Sequence, residues 1–547
     1  MLDQTGAFQV KNRIHSVLAT AGALLLVAVL GPLLAHAHDS PLPAAAGLFL
    51  VDRSDDDASA AAQVCSVAGN DCSLRGAIIK ANANPGSTVV LFADQIYTLT
   101  IVRAGTDDAT TGDLNVTADM TITTICFAPP CGPAIVQGAA GWNDRIFTVL
   151  GGQVRVKGLV VRGGKGGVYV AGGTVLTLTD SSVVGNHGTS GAGILNHGQL
   201  VLQNTQVVSN TTAEFGGGIY SDGYVELNSS QVISNAALAG GGLWVHKGVL
   251  ALTDSDVLSN TAQGGGGGMA IGLSQLTMNG SRVLSNTAIN GYGGGIVVAP
   301  TSTADIRFSQ IGWNAGYAAG GGLFVSNSVL SLTNSTVFSN STEFDGAGID
   351  VEQESTAALI NSTFSGNQAR YNGVAIYQSN TLTTTLTNVT VAYNVTNRDG
   401  NNYYGGGINN SGSGGMVLLN SIVASNRDNG PLHLAPDCRG VLLSEGYNLI
   451  GDGTGCTISG DTTGNQLNVD PQLGPLRNNG GSTWTHALRF DSPAVDTASP
   501  LVCLVTDQRG ALRPYNGSGQ EFAWCDIGAF EYNGPQLRRL FLPLIRR

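Results

Sequence analysis

A tetrad, Val-x-x-Asn, returns ten times between residues 183 and 426 at a spacing near 26 residues, and nothing else in the chain constrains its fold so tightly. With Ile or Phe allowed at the first place, its Asn residues are Asn186, Asn210, Asn235, Asn260, Asn286, Asn314, Asn340, Asn367, Asn394 and Asn426. The steps between them are 24, 25, 25, 26, 28, 26, 27, 27 and 32 residues. Two places before the Val-type residue stands Ser or Thr in nine of ten units, from Ser181 to Ser421, with Val389 the exception. A Gly run followed by an aliphatic marks the other half of the unit, as at Gly218-Ile219, Gly242-Leu243, Gly322-Leu323 and Gly407-Ile408.

Such a period, filled with short segments rich in Val, Leu, Ile and Thr, belongs to a solenoid. The Leu-x-x-Leu-x-Leu consensus of leucine-rich repeats is missing, and a propeller blade needs about 40 residues. The expectation is an all-β, right-handed parallel β-helix of ten or more coils of 24–28 residues, with rungs about 4.8 Å apart. The Val-type column then points inward and the Ser/Thr column sits near a corner. The Asn column ends the strand, where Asn tolerates left-handed backbone and bonds to its copies along the axis.

Composition excludes the rival classes. Apolar residues make up 42% of the chain and charged ones only 12%, the reverse of a disordered segment. The 77 glycines come in clumps, without the strict third-residue period of collagen. A net charge of −12 with no basic tract excludes nucleic acid as a partner.

Lys11 and Arg13 precede an apolar run over residues 17–34, and the small-x-small triplet Ala35-His36-Ala37 follows. This reads as a signal peptide over 1–37, with an uncleaved membrane anchor as the alternative. Cleavage leaves 510 residues and, with one acid and two bases removed, a net charge of −13. No other stretch is long and apolar enough to span a membrane as a helix. The eight cysteines form four neighbouring pairs: Cys65 with Cys72, Cys126 with Cys131, Cys438 with Cys456, and Cys503 with Cys525. An even count in an exported chain reads as disulfides, and a metal site would want closer Cys or His spacing.

A solenoid must close its ends. Residues 73–81 carry apolar side chains at 74, 77, 78 and 81, with Ser73 as N-cap and Pro85-Gly86 as stop, which suits a short helix plugging the N-terminal end. The organisation expected is a leader over 1–37, a cap and first coils over 38–150, and the repeat core over 151–430. An irregular, disulfide-containing C-terminal cap follows over 431–534, and a tail over 535–547.

Cys72-Ser73-Leu74-Arg75-Gly76-Ala77-Ile78 resembles the CSLREA motif of secreted bacterial β-helix proteins, with Gly76 in place of Glu. That Glu would complete a capping box with Ser73, so the resemblance implies a weaker helix start here. The Gly-Gly-Gly-Ile and Val-x-x-Asn pairs are similar to the GGAI and FxxN repeats of polymorphic outer-membrane proteins, which are adhesins. The stretch from Asp470-Pro471-Gln472-Leu473-Gly474 through Asp507-Gln508-Arg509-Gly510 to Asp526-Ile527-Gly528-Ala529-Phe530-Glu531 resembles the choice-of-anchor Q domain, over roughly residues 440 to 532. Together these resemblances imply an extracellular, cell-surface protein.

Along the strand that follows each Gly run, alternation places residues outward in two columns. The first includes Leu195, Tyr220, Trp244, Phe324, Asp350, Tyr377 and Asn409, and the second His197, Asp222, His246 and Glu352. Tyr220, Asp222, Trp244 and His246 on successive rungs make a candidate glycan-binding face, since flat rings stack on sugars and the acid and imidazole bond hydroxyls. Asp350 and Glu352, about 7 Å apart on one strand, make a candidate cation site, with Ca2+ the ion it would suit and no other cofactor implied. Neither place gathers three acids and a base, so a solvated face remains the plain reading of both and no catalytic residue is assigned. Asp254 reads as a turn residue, and Asp496, Asp507, Arg509 and Asp526 as a buried structural network. Three functions stay open: a non-catalytic, adhesin-like surface or matrix protein that binds glycan or a neighbouring cell surface, a carbohydrate-active lyase or hydrolase, and a structural spacer. A monomer is expected.

Overall fold

The computed structural model describes residues 47–66, 69–105, 107–379, 382–396, 405–517 and 523–534; the leader and the tail beyond residue 534 lie outside them. The chain divides into two compact units, residues 1–237 and 238–547. Each is a stack of coils whose short strands pair in parallel with those of the next coil.

In the first unit, Leu48–Leu50 pairs with Ser87–Phe92, which pairs with Met120–Ile125. One wall of the later coils is Phe147–Val149, Val168–Val170, Ile194–Asn196 and Ile219–Ser221. The next is Gln153–Lys157, Val175–Thr179, Gln199–Gln203 and Tyr224–Asn228. The third is Leu159–Arg162, Ser182–Val184, Gln206–Val208 and Gln231–Ile233. Period-two patterning decides which side faces in: Val154 and Val156 are buried while Gln153, Arg155 and Lys157 are exposed.

A helix, α1 (Leu74–Asn82), packs near the first strands and buries Leu74, Ala77, Ile78 and Ala81. The Ser73 side chain accepts the Gly76 backbone N–H at 2.9 Å. Arg75 is fully buried, paired with Asp56 at 2.6 Å and donating to the Ala109 and Gly112 carbonyls. The missing Glu at position 76 has a steric cause. A Cβ there would lie 2.0 Å from the Ala62 carbonyl oxygen, so only Gly lets the two backbones pass. Gly76→Glu, which writes the capping box back in, is therefore expected to destabilise by about 2–3 kcal/mol through overpacking. Denaturant unfolding reads this, and a gain in stability would refute the close-approach account.

The second unit repeats the three walls, from Leu243–His246, Val249–Thr253 and Asp256–Leu258 onward. A two-residue strand, as at Thr261–Ala262, closes each corner. Asp254 sits at φ 48° in a turn, while Asp256 pairs with Arg282 at 2.7 Å on the neighbouring rung.

The Asn residues lie inside the coils, and their amides bond from rung to rung. In the first unit Asn186 donates from its backbone N–H and its Nδ2 to Asn210 Oδ1, both at 3.0 Å, and Asn210 does the same to Asn235. In the second unit the pattern runs through Asn286, Asn314, Asn340, Asn367 and Asn394 to Asn426. Contrary to expectation, Asn is not the left-handed residue. That residue precedes it: Ser209, Ser234, Ser259, Trp313 and Ser425 have φ of 53°, 54°, 54°, 53° and 62°. Turning one residue earlier swings each Asn side chain inward, where the ladder satisfies it. After Asn426 the acceptor becomes a carboxylate: Asp437 Oδ1 takes the Asn426 N–H and Nδ2, both at 2.9 Å.

The C-terminal region begins with further coils. Cys438–Glu445 and Cys456–Asp461 add parallel rungs, as do Leu449–Ile450 and Gln466–Leu467. The chain from about residue 473 then runs back along the outside of the third wall. Asn361 Nδ2 donates to the Thr506 carbonyl, Asn420 Nδ2 to Val502, Thr336 Oγ1 to Trp484, and Thr363 Oγ1 to Gln508 Oε1. Trp484 lies against Phe338 and Trp313, with ring centroids 5.1 and 6.1 Å away. Leu488, Ala494, Val495, Ile527 and Phe530 bury against Ile422, Ala424 and Leu449. Within this flank Arg509 pairs with Asp507 at 2.7 Å, and buried Arg513 donates to the Asp526 and Gly528 carbonyls. Asp526 Oδ1 accepts the Asp496 N–H at 2.7 Å. Four disulfides join Cys65–Cys72, Cys126–Cys131, Cys438–Cys456 and Cys503–Cys525.

Candidate functional site

The strands that follow the Gly runs carry the sequence-derived candidates, and the two units are described in turn. In the first, Tyr169, Leu195 and Tyr220 share one outward register column. The His197 ring stands between the two tyrosines, its centroid 5.5 Å from Tyr169 and 6.4 Å from Tyr220, edge-on to both. Its Nδ1 lies 2.7 Å from Asp222 Oδ1, and both side chains remain about one-third or more exposed (34% and 41%). Arg145 covers the far face of the row, 5.1 Å over the Tyr169 ring. Burial first, then the Asp222 charge, push the Tyr220 phenol above its ordinary value. Tyr169 and His197 were not singled out as binding residues from sequence. Their signal lies in the same columns, with Tyr169 two rungs and His197 one rung before Tyr220.

In the second unit Trp244 and His246 lie half-buried on Leu243–His246, next to Ala270 and Gly272 of the following rung. Asp350 does not stand on a solvated face. It is completely buried, flanked in register by Phe324 and Tyr377, and a Cβ at Gly346 would lie 2.7 Å from its own Cβ. Neither of its carboxylate oxygens has a hydrogen-bond partner among the described residues. Asn409, in the same column, is likewise buried with both amide atoms unpartnered. Burial, then the charges of Glu352 and Asp345, push Asp350 well above the usual carboxylate range. Burial and Asp345 push half-buried Glu352 the same way. Alternation along the strand correctly sets the direction of these side chains, but the loop through Asp345 and Gly346 covers Asp350.

Among the described residues no three or more His, Cys, Asp or Glu side chains gather to hold a metal ion, Asp350 and Glu352 included. No helix among them is long and apolar enough to cross a membrane.

No curated protein matches this chain. Among solved structures, pectate lyase Pel9A is similar at 15% identity over 90% of this chain and 97% of its own, with a TM-score of 0.28. Residues 146–311 match the family model described as "Right handed beta helix region".

Proposed function

We propose that this is an extracellular surface or matrix β-helix protein, adhesin-like, that binds glycan without cleaving it. The observation that carries the reading is the row Tyr169, His197, Tyr220 and Asp222. Two phenol rings and an imidazole line one face of successive rungs, with a partly exposed carboxylate bonded to the imidazole. Such a row offers ring faces and edges to sugar C–H groups and both a donor and an acceptor to hydroxyls. Four disulfides support export to an oxidising compartment, as does the basic, apolar and small-residue order of residues 1–37. Within the second unit Trp244 and His246 are separate candidates for the same chemistry, and the choice-of-anchor Q resemblance of the C-terminal region fits attachment at a cell surface.

The test is a polysaccharide array probed with the purified mature chain and scored for both binding and released product. Binding without product is expected. For the best ligand, Tyr169→Ala with Tyr220→Ala should weaken affinity at least about tenfold, the loss of one anchoring contact. Both residues are half-exposed, so folding survives. Unchanged affinity would remove this row from the proposal. Released product would favour the lyase or hydrolase reading, and no binding on any glycan would favour the spacer.

A further inference from the structure

The second unit carries an aromatic ridge that the strand alternation does not reveal. Tyr317, Phe344 and Tyr371 sit at the same corner of three successive coils, just after the Asn ladder. Their centroids are 5.7 and 5.0 Å apart, and the last two rings are stacked within 10° of parallel. Tyr317 and Phe344 are 47% and 40% exposed. The loop that presents Phe344 continues into Asp345, whose Oδ1 accepts the Asn372 N–H beside Tyr371 at 2.8 Å. Behind this loop stand Asp350 and Glu352. The aromatic ridge and the acids therefore adjoin through the consecutive residues Phe344 and Asp345.

We propose that the ridge and the three acids together bind a polymer of amino sugars bearing free ammonium groups. The inference extends the glycan-binding reading to a second surface, and it rests on contacts that the first-unit row does not share.

Three features favour this ligand class. The ridge repeats ring edges from coil to coil, which suits a ligand with a repeated C–H surface better than a single small molecule. The acids carry a surplus of negative charge and of acceptors. Asp350 has two buried oxygens and, among the described residues, no donor for either, an arrangement that needs an explanation in a native fold. A neutral sugar would supply hydroxyl donors but leave the charge uncompensated. A bare metal ion would need ligands gathered at one point, and these three acids are not so gathered. An ammonium group held at the mouth between Asp345 and Glu352, both partly exposed, meets the charge and feels Asp350 behind them. Burial pushes all three carboxyls up, and repulsion from neighbouring acids adds to the push on Asp350 and Glu352. A bound cation favours their ionised forms, so affinity should rise with pH through the acid range while the amine stays protonated.

The experiment is calorimetric titration of the full mature chain with glucosamine oligomers and with N-acetylglucosamine oligomers of equal length. The free-amine oligomer is expected to bind, with affinity rising as pH rises through the acid range and the carboxyls ionise. The acetylated oligomer should bind at least about tenfold more weakly. Asp350→Asn and, separately, Glu352→Gln should each cost about tenfold for the amine and flatten the pH dependence. Phe344→Ala with Tyr371→Ala should weaken both oligomers, and Tyr169→Ala with Tyr220→Ala should change neither. Because Glu352 is only half-buried, its variant keeps the test open if Asp350→Asn disturbs folding. Equal affinity for the two oligomers, absence of binding, or indifference to Glu352→Gln would each overturn the proposal. Loss through Tyr169→Ala with Tyr220→Ala would instead move the site to the first unit.

Discussion

Asn314→Ala is expected to lower the stability of the second unit by about 4 kcal/mol, against less than about 0.5 kcal/mol for Asn279→Ala on the exposed face of a neighbouring strand. Asn314 Oδ1 accepts both the backbone N–H and the Nδ2 of Asn286, at 3.0 and 2.9 Å. Its own Nδ2 donates to Val283 O and to Asn340 Oδ1, both at 2.9 Å. Truncation therefore removes four buried hydrogen bonds and leaves the Asn286 N–H without its acceptor, while Asn286 Nδ2 keeps the Val257 and Leu284 carbonyls. A group so left costs about 1–3 kcal/mol when water cannot reach it. Asn314→Asp would keep the acceptor but lose the donor and bury a charge, so it should be no better. Urea unfolding followed by fluorescence separates these outcomes. A cost for Asn314→Ala no larger than that for Asn279→Ala would mean that the ladder follows the fold and does not hold it.

The repeat made the coil legible because each column has one dominant residue type and the type states its environment. Its limits lie where a neighbour outside the repeat decides. The Val-x-x-Asn spacing locates a polar residue at the end of a strand, yet it cannot say whether that residue turns the chain or the one before it does. Ser209 and Trp313 both take the left-handed turn, and no common chemistry links them. The returning C-terminal flank did leave a signal. In the second unit the outward position of the third wall carries Asp256, Arg282 and Gln310, then becomes Thr336, Thr363, Thr390 and Ile422. Those last four are buried by the flank. Gly312 on the same wall is crowded instead by its register partner on the next coil, since a Cβ there would lie 2.4 Å from the Phe338 ring. Asp350 left no such trace, because its burial comes from a loop whose path the strand pattern does not encode. Tyr317, Phe344 and Tyr371 were equally hidden, being spaced from their ladder Asn by three, four and four residues in a segment without strand alternation.

Two buried groups at opposite ends of the titration scale give the second large effect. Asp437 ends the Asn ladder, and burial pushes its carboxyl up to about 6 from an ordinary 3.8. His486 holds the flank to the third wall, with Nδ1 2.7 Å from the Gly474 carbonyl and Nε2 2.8 Å from Ser365 Oγ. Burial pushes it down to about 4 from 6.5. A carboxyl raised on folding lends stability that is complete below its unfolded value and lost as pH rises through its folded one. Asp437 should thus cost about 3 kcal/mol between pH 4 and just above 6. An imidazole lowered on folding lends stability that is complete above its unfolded value and lost as pH falls, so His486 should cost about 3 kcal/mol between pH 6.5 and 4. The two slopes oppose each other over nearly one window. Asp350 and Asp526, also pushed up by burial, tilt the balance toward lower stability at higher pH. Asp437→Asn is expected to remove the first slope, so that its stability relative to wild type grows as pH rises from 4 to 6.5. His486→Gln, which can still bond both partners, should do the reverse and gain on wild type as pH falls. Urea midpoints for the three proteins at half-unit pH steps measure both differences. Parallel curves for wild type and Asp437→Asn would show that the ladder ends on a carboxyl that titrates normally. Parallel curves for wild type and His486→Gln would show that the flank lifts to let the imidazole reach water.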